Sequence, residues 1–358
     1  MSDVIRVMML GTDLKSRGGI SSVLNAYKDS GLLEALNIKY YGTHRDGLKI
    51  NKIIYYLKAL PSIFLEMHKF GIVHIHTASQ WSYRRLFPIL VFARILKRKI
   101  VIQLHGGQFG QYFKKAFFFE RAIVKYGFSI ADRIIILTSM AFKDISDLCN
   151  FNKIIIIPNG LPLSIYGNLN SERTVWPRKI ILYMGNISHE KGVYDLLKAF
   201  RIVINNNSNL RLILCGTGEI KKVKLFVKKL NLTNFVYMPG WIEGSAKSEI
   251  LNLTHIMVLP SYFEILPMSI IEALARGIPV VSTNIGGIPD AVENGKEGLL
   301  VEPGDVNALA EAIQLLFNDL NLWNKMQISA RKKFENCFSV KIVFDRLNAL
   351  YSSLMSKS

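Results

Sequence analysis

The segment of residues 260–280, PSYFEILPMSIIEALARGIPV, carries two glutamates with seven residues between them. The short apolar run before it, Ile256–Leu259, predicts a buried strand, and the residues from Pro267 onward predict a helix with proline in its first turn. Glu264 then precedes the helix, and Glu272 lies in its second turn. A carboxylate accepts two hydrogen bonds from neighbouring hydroxyl groups, so the pair suits a sugar and a ribose.

The start of this predicted helix is a candidate anion site. The backbone N–H groups of Leu266, Met268 and Ser269 have no partners inside the helix, and they lie at the positive end of the helix dipole; Pro267 has no N–H. A diphosphate is an anion of suitable size and charge for such a site.

A lysine completes the candidate phosphate site. Lys191 lies in GNISHEKG, residues 185–192, which follows the predicted strand of residues 179–184 and leads into a helix. A lysine at a strand-to-helix junction is well placed to face a phosphate. The sequence contains no Asp-x-Asp pair, a common metal–diphosphate handle, so we expect Lys191 and the helix start to offset the diphosphate charge without a metal.

Glycines and histidines mark a second candidate region near the amino terminus. Gly18 and Gly19 fall between the first strand and the first helix, where glycine lets the backbone approach a ligand closely. His105 ends a predicted strand in QLHGG. His74 and His76 alternate along another strand, and we expect them to be structural or to line a cleft. Neither the glycine pair at 18–19 nor CGTGE, residues 215–219, fits G-x-G-x-x-G, which argues against a dinucleotide oxidoreductase.

The elements that must position these residues alternate between strand and helix. Short apolar runs at Val4–Leu10, Ile72–Ile75 and Ile100–Leu104 predict strands buried on both faces, and helical spacing separates them. The same alternation restarts near residue 179. This order predicts an α/β protein with two doubly wound parallel sheets.

Domain boundaries follow from a linker signal at residues 158–177, which is rich in proline, glycine and polar residues. We predict an N-terminal domain over residues 1–165, a C-terminal domain over 175–335 and a helical tail over 336–358. Two such domains facing each other would leave a cleft at the carboxyl ends of their strands.

Composition excludes several classes of protein. Half of the 358 residues are hydrophobic, which excludes disorder, and three cysteines exclude a disulfide framework. No apolar run approaches the ~20 residues of a membrane span, and the first residues predict a strand rather than a signal peptide. We therefore expect a cytoplasmic protein that is soluble or peripheral on the inner face of the membrane.

The positive charge is concentrated in the first half of the chain. Residues 1–170 hold 23 Lys and Arg against 10 Asp and Glu, a net charge of +13, whereas residues 171–358 have a net charge of +5. Two segments, residues 81–99 and 111–126, combine aromatic and basic residues, a composition that suits an anionic membrane surface. The basic residues predicted to contact the membrane are Arg84, Arg85, Lys97, Arg98, Lys99, Lys114 and Lys115. No nucleic-acid-binding motif accompanies the charge.

Residues 258–304 resemble the nucleotide-sugar site of glycosyltransferase family 4, whose members are retaining enzymes with the GT-B fold. Further matches occur in the family's order along the chain, at GG (18–19), HGG (105–107), PNG (158–160), MGNISHEKG (184–192), GW (240–241), GGIPD (286–290) and VEPGD (301–305). The resemblance spans roughly residues 10–315. It implies two Rossmann-like domains facing across a cleft, with a C-terminal helix that returns to the first domain.

The resemblance also implies roles for individual residues. Glu264, His105 and Lys191 would be the catalytic residues. The donor would be held by Gly18, Gly19, Asn186, Lys191, Glu264, Ile265, Leu266, Pro267, Met268 and Glu272. Asn186 departs from the family pattern, which has arginine there. The departing phosphate oxygen would take the acceptor's proton, so no side chain is assigned as a dedicated base.

The implied reaction transfers a sugar, with retention, from a UDP- or GDP-sugar to a glycan or polyprenyl-linked acceptor, in surface polysaccharide or glycolipid synthesis. No cofactor and no metal are expected, and an anionic membrane surface is the expected further partner. Two alternatives stay open: a GT-B nucleotide-sugar epimerase or phosphorylase, and a catalytically silent GT-B binding subunit. The base, the sugar, the acceptor and the linkage are not determined by the sequence.

Overall fold

The structure is a computed structural model that describes residues 5–16, 18–78, 80–106, 109–163, 179–206 and 209–356. The chain divides into two compact units. Unit 1 consists of Met1–Pro162 and Ser339–Ser358, and unit 2 consists of Leu163–Phe338. Most of the predicted linker, residues 164–178, lies outside the described residues.

Unit 1 contains a parallel sheet with the strand order β2-β1-β3-β4-β5-β6. Its strands are β1 (Val7–Thr12), β2 (Ile38–His44), β3 (Ile72–Thr77), β4 (Lys99–Leu104), β5 (Arg133–Ile136) and β6 (Ile154–Ile156). The direction of winding reverses between β1 and β3. The predicted apolar runs form these strands because helices cover both faces of the sheet, so every side chain along them can be apolar.

The helices of unit 1 before β6 are α1 (Gly19–Asp29), α2 (Leu32–Ala35), α3 (Lys49–Glu66), α4 (Gln80–Ile95), α5 (Phe109–Lys115), α6 (Phe118–Ile130) and α7 (Ala141–Ile145). One face of the sheet packs against α3, α4 and α6 in a continuous core that includes Ile63, Leu86 and Phe128. These three helices therefore form one layer on that face.

Unit 2 repeats the architecture with the strand order β12-β11-β10-β7-β8-β9. Its strands are β7 (Lys179–Met184), β8 (Leu210–Cys215), β9 (Val236–Gly240), β10 (Ile256–Leu259), β11 (Val280–Thr283) and β12 (Gly298–Val301). Its helices are α8 (Val193–Asn206), α9 (Ile220–Lys229), α10 (Gly244–Leu253), α11 (Met268–Ala275), α12 (Ile288–Ala291), α13 (Val306–Asn318) and α14 (Leu320–Lys333). The winding reverses between β10 and β7.

The last helix, α15 (Val340–Met355), belongs to unit 1. A π-helical turn, Phe334–Phe338, precedes it. The Tyr351 hydroxyl lies 2.7 Å from Nδ1 of His74 on β3, and the Val340 amide donates to the Leu161 carbonyl at 3.0 Å. The expected return of the C-terminal helix to the first domain is confirmed.

Candidate functional site

The candidate donor site lies at the carboxyl edge of the sheet in unit 2. The loops after β7 and β10 flank the point where the winding reverses, and in open α/β sheets ligands bind at this point. Lys191 lies at the end of the first loop and Glu264 in the second. The two halves of the site are thus brought together by the strand order and not by their sequence separation.

Lys191 and Glu264 form a direct ion pair. Lys191 Nζ lies 2.8 Å from Glu264 Oε1 and donates to the Phe263 carbonyl at 3.0 Å. Both side chains are largely buried, with 24% and 12% of their surface exposed. The lysine therefore ties the β7 loop to the β10 loop, and it places a positive charge beside the glutamate expected to contact the sugar.

A buried hydroxyl further orients Glu264. Ser261 Oγ donates to Glu264 Oε1 at 3.1 Å, and the Ser261 carbonyl accepts from Thr283 Oγ1 at 2.6 Å. Lys191 and Ser261 thus both donate to Oε1 of Glu264. Within the described ranges Oε2 has no hydrogen-bond partner, so this oxygen is available to a ligand hydroxyl.

Helix α11 begins one residue later than the sequence predicts. Pro267 has an extended ψ of 125° and precedes the helix, so it does not occupy the first turn. Its carbonyl accepts from the Ile270 and Ile271 amides at 3.1 and 3.3 Å. The amides of Met268 and Ser269 have no acceptor among the described residues, as a helix start requires for anion binding. Ile265 and Leu266 complete the loop, and Leu266 is buried.

Two glycines allow the site loops to pack closely. A Cβ at Gly192, which has a φ of +69°, would lie 1.9 Å from the Pro260 carbonyl oxygen. A Cβ at Gly286, which has a φ of +52°, would lie 1.8 Å from the Glu264 carbonyl oxygen. Any other residue would force the backbone carrying Lys191 or Glu264 to move, which explains the glycines in these two motifs.

Glu272 lies in the second turn of α11, as predicted, but it is already paired. Its Oε1 lies 2.7 Å from Nζ of Lys247 on α10, and only 7% of the glutamate side chain is exposed. Sequence analysis did not select Lys247, because nothing in its local sequence distinguishes it from other surface lysines. The pair holds the carboxylate in place beside the helix.

A second group that the sequence analysis missed lies behind the Lys191 loop. Tyr262 donates its hydroxyl to Asp195 Oδ2 at 2.7 Å, and its amide donates to the Glu190 carbonyl at 2.9 Å. The His189 ring stacks on the Tyr262 ring with centroids 5.5 Å apart. These contacts fix the loop that carries Lys191. The only sign of this role in the sequence is that Tyr262 lies next to Ser261 in the same motif as Glu264.

Asn186, the departure from the family pattern, is exposed in the loop after β7. Its carbonyl accepts from the buried Tyr183 hydroxyl at 2.6 Å, which anchors the backbone. The side-chain oxygen lies close to Gly218, where an added Cβ would be 2.8 Å away. The position therefore offers solvent-facing room for a longer side chain.

In unit 1, Gly18 and Gly19 lie where the sequence placed them. Gly19 is the first residue of α1, and Gly18 caps it with a φ of +143°, a conformation that other residues rarely adopt. An added Cβ at Gly18 would meet no atom within 4 Å. Glycine is thus required here by backbone conformation and not by packing.

His105 lies at the end of a chain of buried histidines. Its Nε2 is 2.8 Å from Nδ1 of His76, and the rings of His76 and His74 stack with centroids 4.6 Å apart. His74 continues the chain to Tyr351 on α15. His74 and His76 are buried, whereas His105 is partly exposed beyond β4.

Burial keeps these histidines neutral. Desolvation lowers the pKa of His74 to about 3 and that of His105 to about 4, and it holds the pKa of His76 well below its usual value. At neutral pH His105 therefore acts as a hydrogen-bonding imidazole and not as a cation. Its role toward a donor sugar stays a prediction.

The basic residues predicted to contact a membrane differ in their surroundings. Arg84 is paired with Glu120 and stacks over Trp81, and Arg85 is half-buried. Arg98 donates to the Phe70 carbonyl at 3.3 Å. The lysines Lys97, Lys114 and Lys115 are exposed, and Lys99 is partly exposed at the start of β4.

Neither a metal centre nor a membrane span is found in the described part of the chain. There, no group of three or more His, Cys, Asp or Glu side chains is arranged to hold a metal ion. None of the helices described is both long enough and apolar enough to cross a bilayer.

The two Rossmann-like units, each with a six-stranded parallel sheet, define the chain as a GT-B protein. Residues 5–165 match the model of "Glycosyltransferase Family 4", and residues 170–333 match that of "Glycosyl transferases group 1". The two matches together account for most of the chain. The chain therefore belongs to glycosyltransferase family 4, and the resemblance drawn from its motifs is confirmed.

Several curated proteins with similar sequences are glycosyltransferases. A capsular polysaccharide biosynthesis glycosyltransferase, CapM, from Staphylococcus aureus is 30% identical over 242 residues, which cover 64% of each chain. A UDP-Gal:alpha-D-GlcNAc-diphosphoundecaprenol alpha-1,3-galactosyltransferase from Escherichia coli is 24% identical over 320 residues, covering 84% of this chain and 80% of the relative. The chain spans less than two thirds of the length of several curated relatives that it matches.

A solved structure supports the fold. The Anabaena protein Alr3699/HepE, crystallised in complex with UDP, superposes with a TM-score of 0.78 over 98% of this chain and 100% of its own. Its sequence identity is 18%, so the likeness shows the fold alone.

Proposed function

We propose that this protein transfers a glycosyl group from a nucleotide sugar to a glycan or lipid-linked acceptor in surface polysaccharide or glycolipid synthesis. The observation that carries the proposal is the Lys191–Glu264 pair beside the start of α11, at the switch point of unit 2. A cation, free helix amides and a carboxylate with one unpaired oxygen lie together there. This combination suits a diphosphate joined to a hydroxyl-rich sugar.

Within this proposal the donor diphosphate lies against the Met268 and Ser269 amides and is offset by Lys191. Oε2 of Glu264 accepts from a sugar hydroxyl, and Glu272 accepts from the ribose. The two charged side chains of the lysine–glutamate pair are already held close together, so donor binding requires little ordering. UDP or GDP is the expected nucleotide. The UDP complex of the HepE structure and the UDP-galactose donor in the name of the Escherichia coli relative favour UDP.

The proposed transfer proceeds with retention and without a metal. The bond between the anomeric carbon and the phosphate oxygen breaks, and the acceptor oxygen bonds to the same face of the sugar. The acceptor proton passes to the departing phosphate oxygen, so no side-chain base is needed. Lys191 and the helix amides stabilise the negative charge that develops on the departing diphosphate.

The experiment combines donor turnover with product analysis. Purified protein is incubated with UDP- and GDP-sugars, and release of the nucleoside diphosphate is measured with and without EDTA. We expect one donor to be hydrolysed slowly without acceptor, at a rate that EDTA does not change. The anomeric configuration of the sugar in a transfer product, read by NMR, then tests retention. Absence of turnover with every donor would favour a silent binding subunit.

Attachment to an anionic membrane, on the cytoplasmic face, is the second part of the proposal. It is supported by the net charge of +13 in residues 1–170 and by the exposure of Lys97, Lys114 and Lys115. Each lysine near an anionic surface contributes about 1 kcal/mol. Co-sedimentation with anionic and neutral vesicles tests it by comparing the wild type with Lys114→Glu/Lys115→Glu. Equal binding to both kinds of vesicle would contradict this part.

A further inference from the structure

Helix α3 has a wide apolar surface, and only part of it packs on the sheet. Its inner face packs on the sheet of unit 1 through the fully buried Ile63, with Tyr56, Leu60 and Phe64 partly buried beside it. A helix at the surface of a globular protein normally presents a polar outer face.

The outer face of α3 carries a continuous apolar stripe. Ile50, Ile53, Ile54, Leu57 and Leu65 recur at helical spacing and are between 43% and 73% exposed. Pro61, also exposed, fills the gap between Leu57 and Leu65. We call these six residues the α3 stripe. Exposed apolar residues contiguous over an 18-residue helix are unusual on a protein surface and mark an interaction site.

The charges around the α3 stripe are positive. Lys49 and Lys58 are exposed on the helix, and Lys52 is partly exposed. The helix has one acidic residue, Glu66, which is neutralised by Lys39 at 2.5 Å and accepts from the Tyr41 hydroxyl at 3.0 Å. The partner of this face is therefore apolar at its centre and anionic at its edges.

Exposed aromatic residues extend the surface at the same end of unit 1. Helices α3 and α4 both begin at the carboxyl edge of the parallel sheet, and the Tyr56 hydroxyl on α3 donates to the Arg85 carbonyl on α4 at 2.5 Å. Trp81 at the start of α4 is 72% exposed, and Phe117, Phe118 and Phe119 at the start of α6 are 66–81% exposed. Tryptophan and phenylalanine favour the boundary between lipid headgroups and acyl chains.

We infer that the α3 stripe lies in the surface of an anionic lipid bilayer, with Lys49 and Lys58 at the level of the headgroups. This inference deepens the membrane attachment proposed above, on which it rests, because it adds insertion of an apolar helix to the attraction of charges. The combination of an apolar stripe, flanking lysines and nearby aromatics is the composition of a helix that lies in the plane of the membrane. Lysine side chains are long enough to keep their charge in the headgroups while the helix is immersed.

The test measures binding to vesicles of phosphatidylglycerol and of phosphatidylcholine by co-sedimentation. The variant Ile53→Ser/Leu57→Ser removes two half-exposed side chains from the stripe and changes no charge. We expect it to bind phosphatidylglycerol vesicles about 100-fold more weakly, since each such side chain withdrawn from lipid weakens binding about 10-fold. In 1 M NaCl the wild type should keep more binding than the variant, because the Debye length of ~3 Å screens charge but not apolar contact.

A matched control is available on α9 of unit 2. This helix carries five lysines, residues 221, 222, 224, 228 and 229, and one strongly exposed leucine, Leu225. Because it is basic without an apolar stripe, we expect Leu225→Ser to leave vesicle binding unchanged. Circular dichroism and the urea midpoint verify the fold of each variant, and Ile50→Ser/Ile54→Ser serves as a second stripe variant.

The outcomes separate the possibilities. Unchanged binding by both stripe variants, with weaker binding by Lys114→Glu/Lys115→Glu, overturns the inference but keeps electrostatic attachment. A wild-type dimer that the stripe variants dissociate, without vesicle binding, overturns it in favour of a second copy of the chain. Donor hydrolysis without vesicles tests the transfer function independently of either result.

Discussion

Units 1 and 2 share one architecture, but the candidate site residues at the carboxyl edges of their sheets differ in charge. In unit 2 the site residues are charged and paired with opposite charges: Lys191 with Glu264, and Lys247 with Glu272. In unit 1, His76 and His105 near the edge are neutral histidines that hydrogen-bond and stack on one another. The candidate site residues of unit 2 are thus charged pairs, whereas the candidate histidines of unit 1 are neutral.

The difference follows from what each environment allows. The Lys191–Glu264 pair of unit 2 lies in two loops with part of its surface exposed, where a ligand can exchange partners with it. His74 and His76 of unit 1 are buried in the sheet, and a charge there would be costly without a partner. We therefore expect the anionic group of a ligand to bind at Lys191 in unit 2, whereas His105 in unit 1 offers an uncharged hydrogen bond.

The largest effect is expected for Lys191→Ala in unit 2. Removing this cation should lower turnover about 10²- to 10³-fold, as loss of a preorganised electrostatic group does, without unfolding the protein. Steady-state rates and the urea midpoint measure the two quantities. Lys198→Ala is the matched control, because Lys198 is also paired, to Asp195 at 3.1 Å, but lies outside the proposed phosphate site. Near-normal turnover of Lys191→Ala would mean that the phosphate site is misplaced.

The two glutamates of unit 2 should respond differently. Glu272→Ala should weaken nucleotide binding by roughly 1.5–3 kcal/mol, the cost of a lost hydrogen bond to a charged group, while Glu264→Gln mainly lowers turnover. Calorimetric titration with the nucleoside diphosphate and steady-state kinetics distinguish these effects. Glu293→Gln, at an exposed pair with Lys296, should change neither. Equal losses of nucleotide affinity in both site variants would contradict the division of roles.

The buried, neutral His74 of unit 1 should make the free energy of unfolding depend on pH. The folded-state pKa of His74, about 3, lies below the usual value of 6.5, so the unfolded chain binds more protons between these values. Titration of His74 therefore leaves the free energy of unfolding unchanged above pH 6.5 and lowers it as the pH falls from 6.5 toward 3. The slope is about 1.4 kcal/mol per pH unit.

This contribution is measured by urea unfolding at pH 5.5 and 4.5. His74→Gln, which cannot take up a proton, should lower stability at both values but reduce its decrease between them by about 1.4 kcal/mol. An unchanged difference between the two pH values would show that His74 is already protonated in the folded protein.

The smallest effect is expected for Asn186→Arg. This exposed position has room for the longer side chain, and an added cation near the proposed diphosphate should tighten nucleotide binding by ~0.5–1 kcal/mol, about 2- to 5-fold. Titration at low and high salt measures it, and the gain should shrink as salt screens the charge. Weaker binding of the nucleotide would place Asn186 away from the phosphates.

The sequence by itself determined the element order, the α/β class, the family and the position of the loop that carries Glu264. These depend on local signals: continuous apolar runs form strands covered on both faces, and Gly192 and Gly286 occur in motifs whose backbone tolerates no side chain. Even the helix start after Pro267 was predicted to within one residue.

Only the tertiary structure decided which of these residues meet. The Lys191–Glu264 pair joins loops 73 positions apart, and Lys247 reaches Glu272 from another helix, because parallel strands bring their carboxyl ends to one edge. Packing also decided that Arg84 is neutralised by Glu120 and that one apolar face of α3 stays outside the core. The apolar surface of α3 is wider than the part that packs on the sheet, so the sequence of the helix does not show which apolar residues stay exposed; that depends on the sheet.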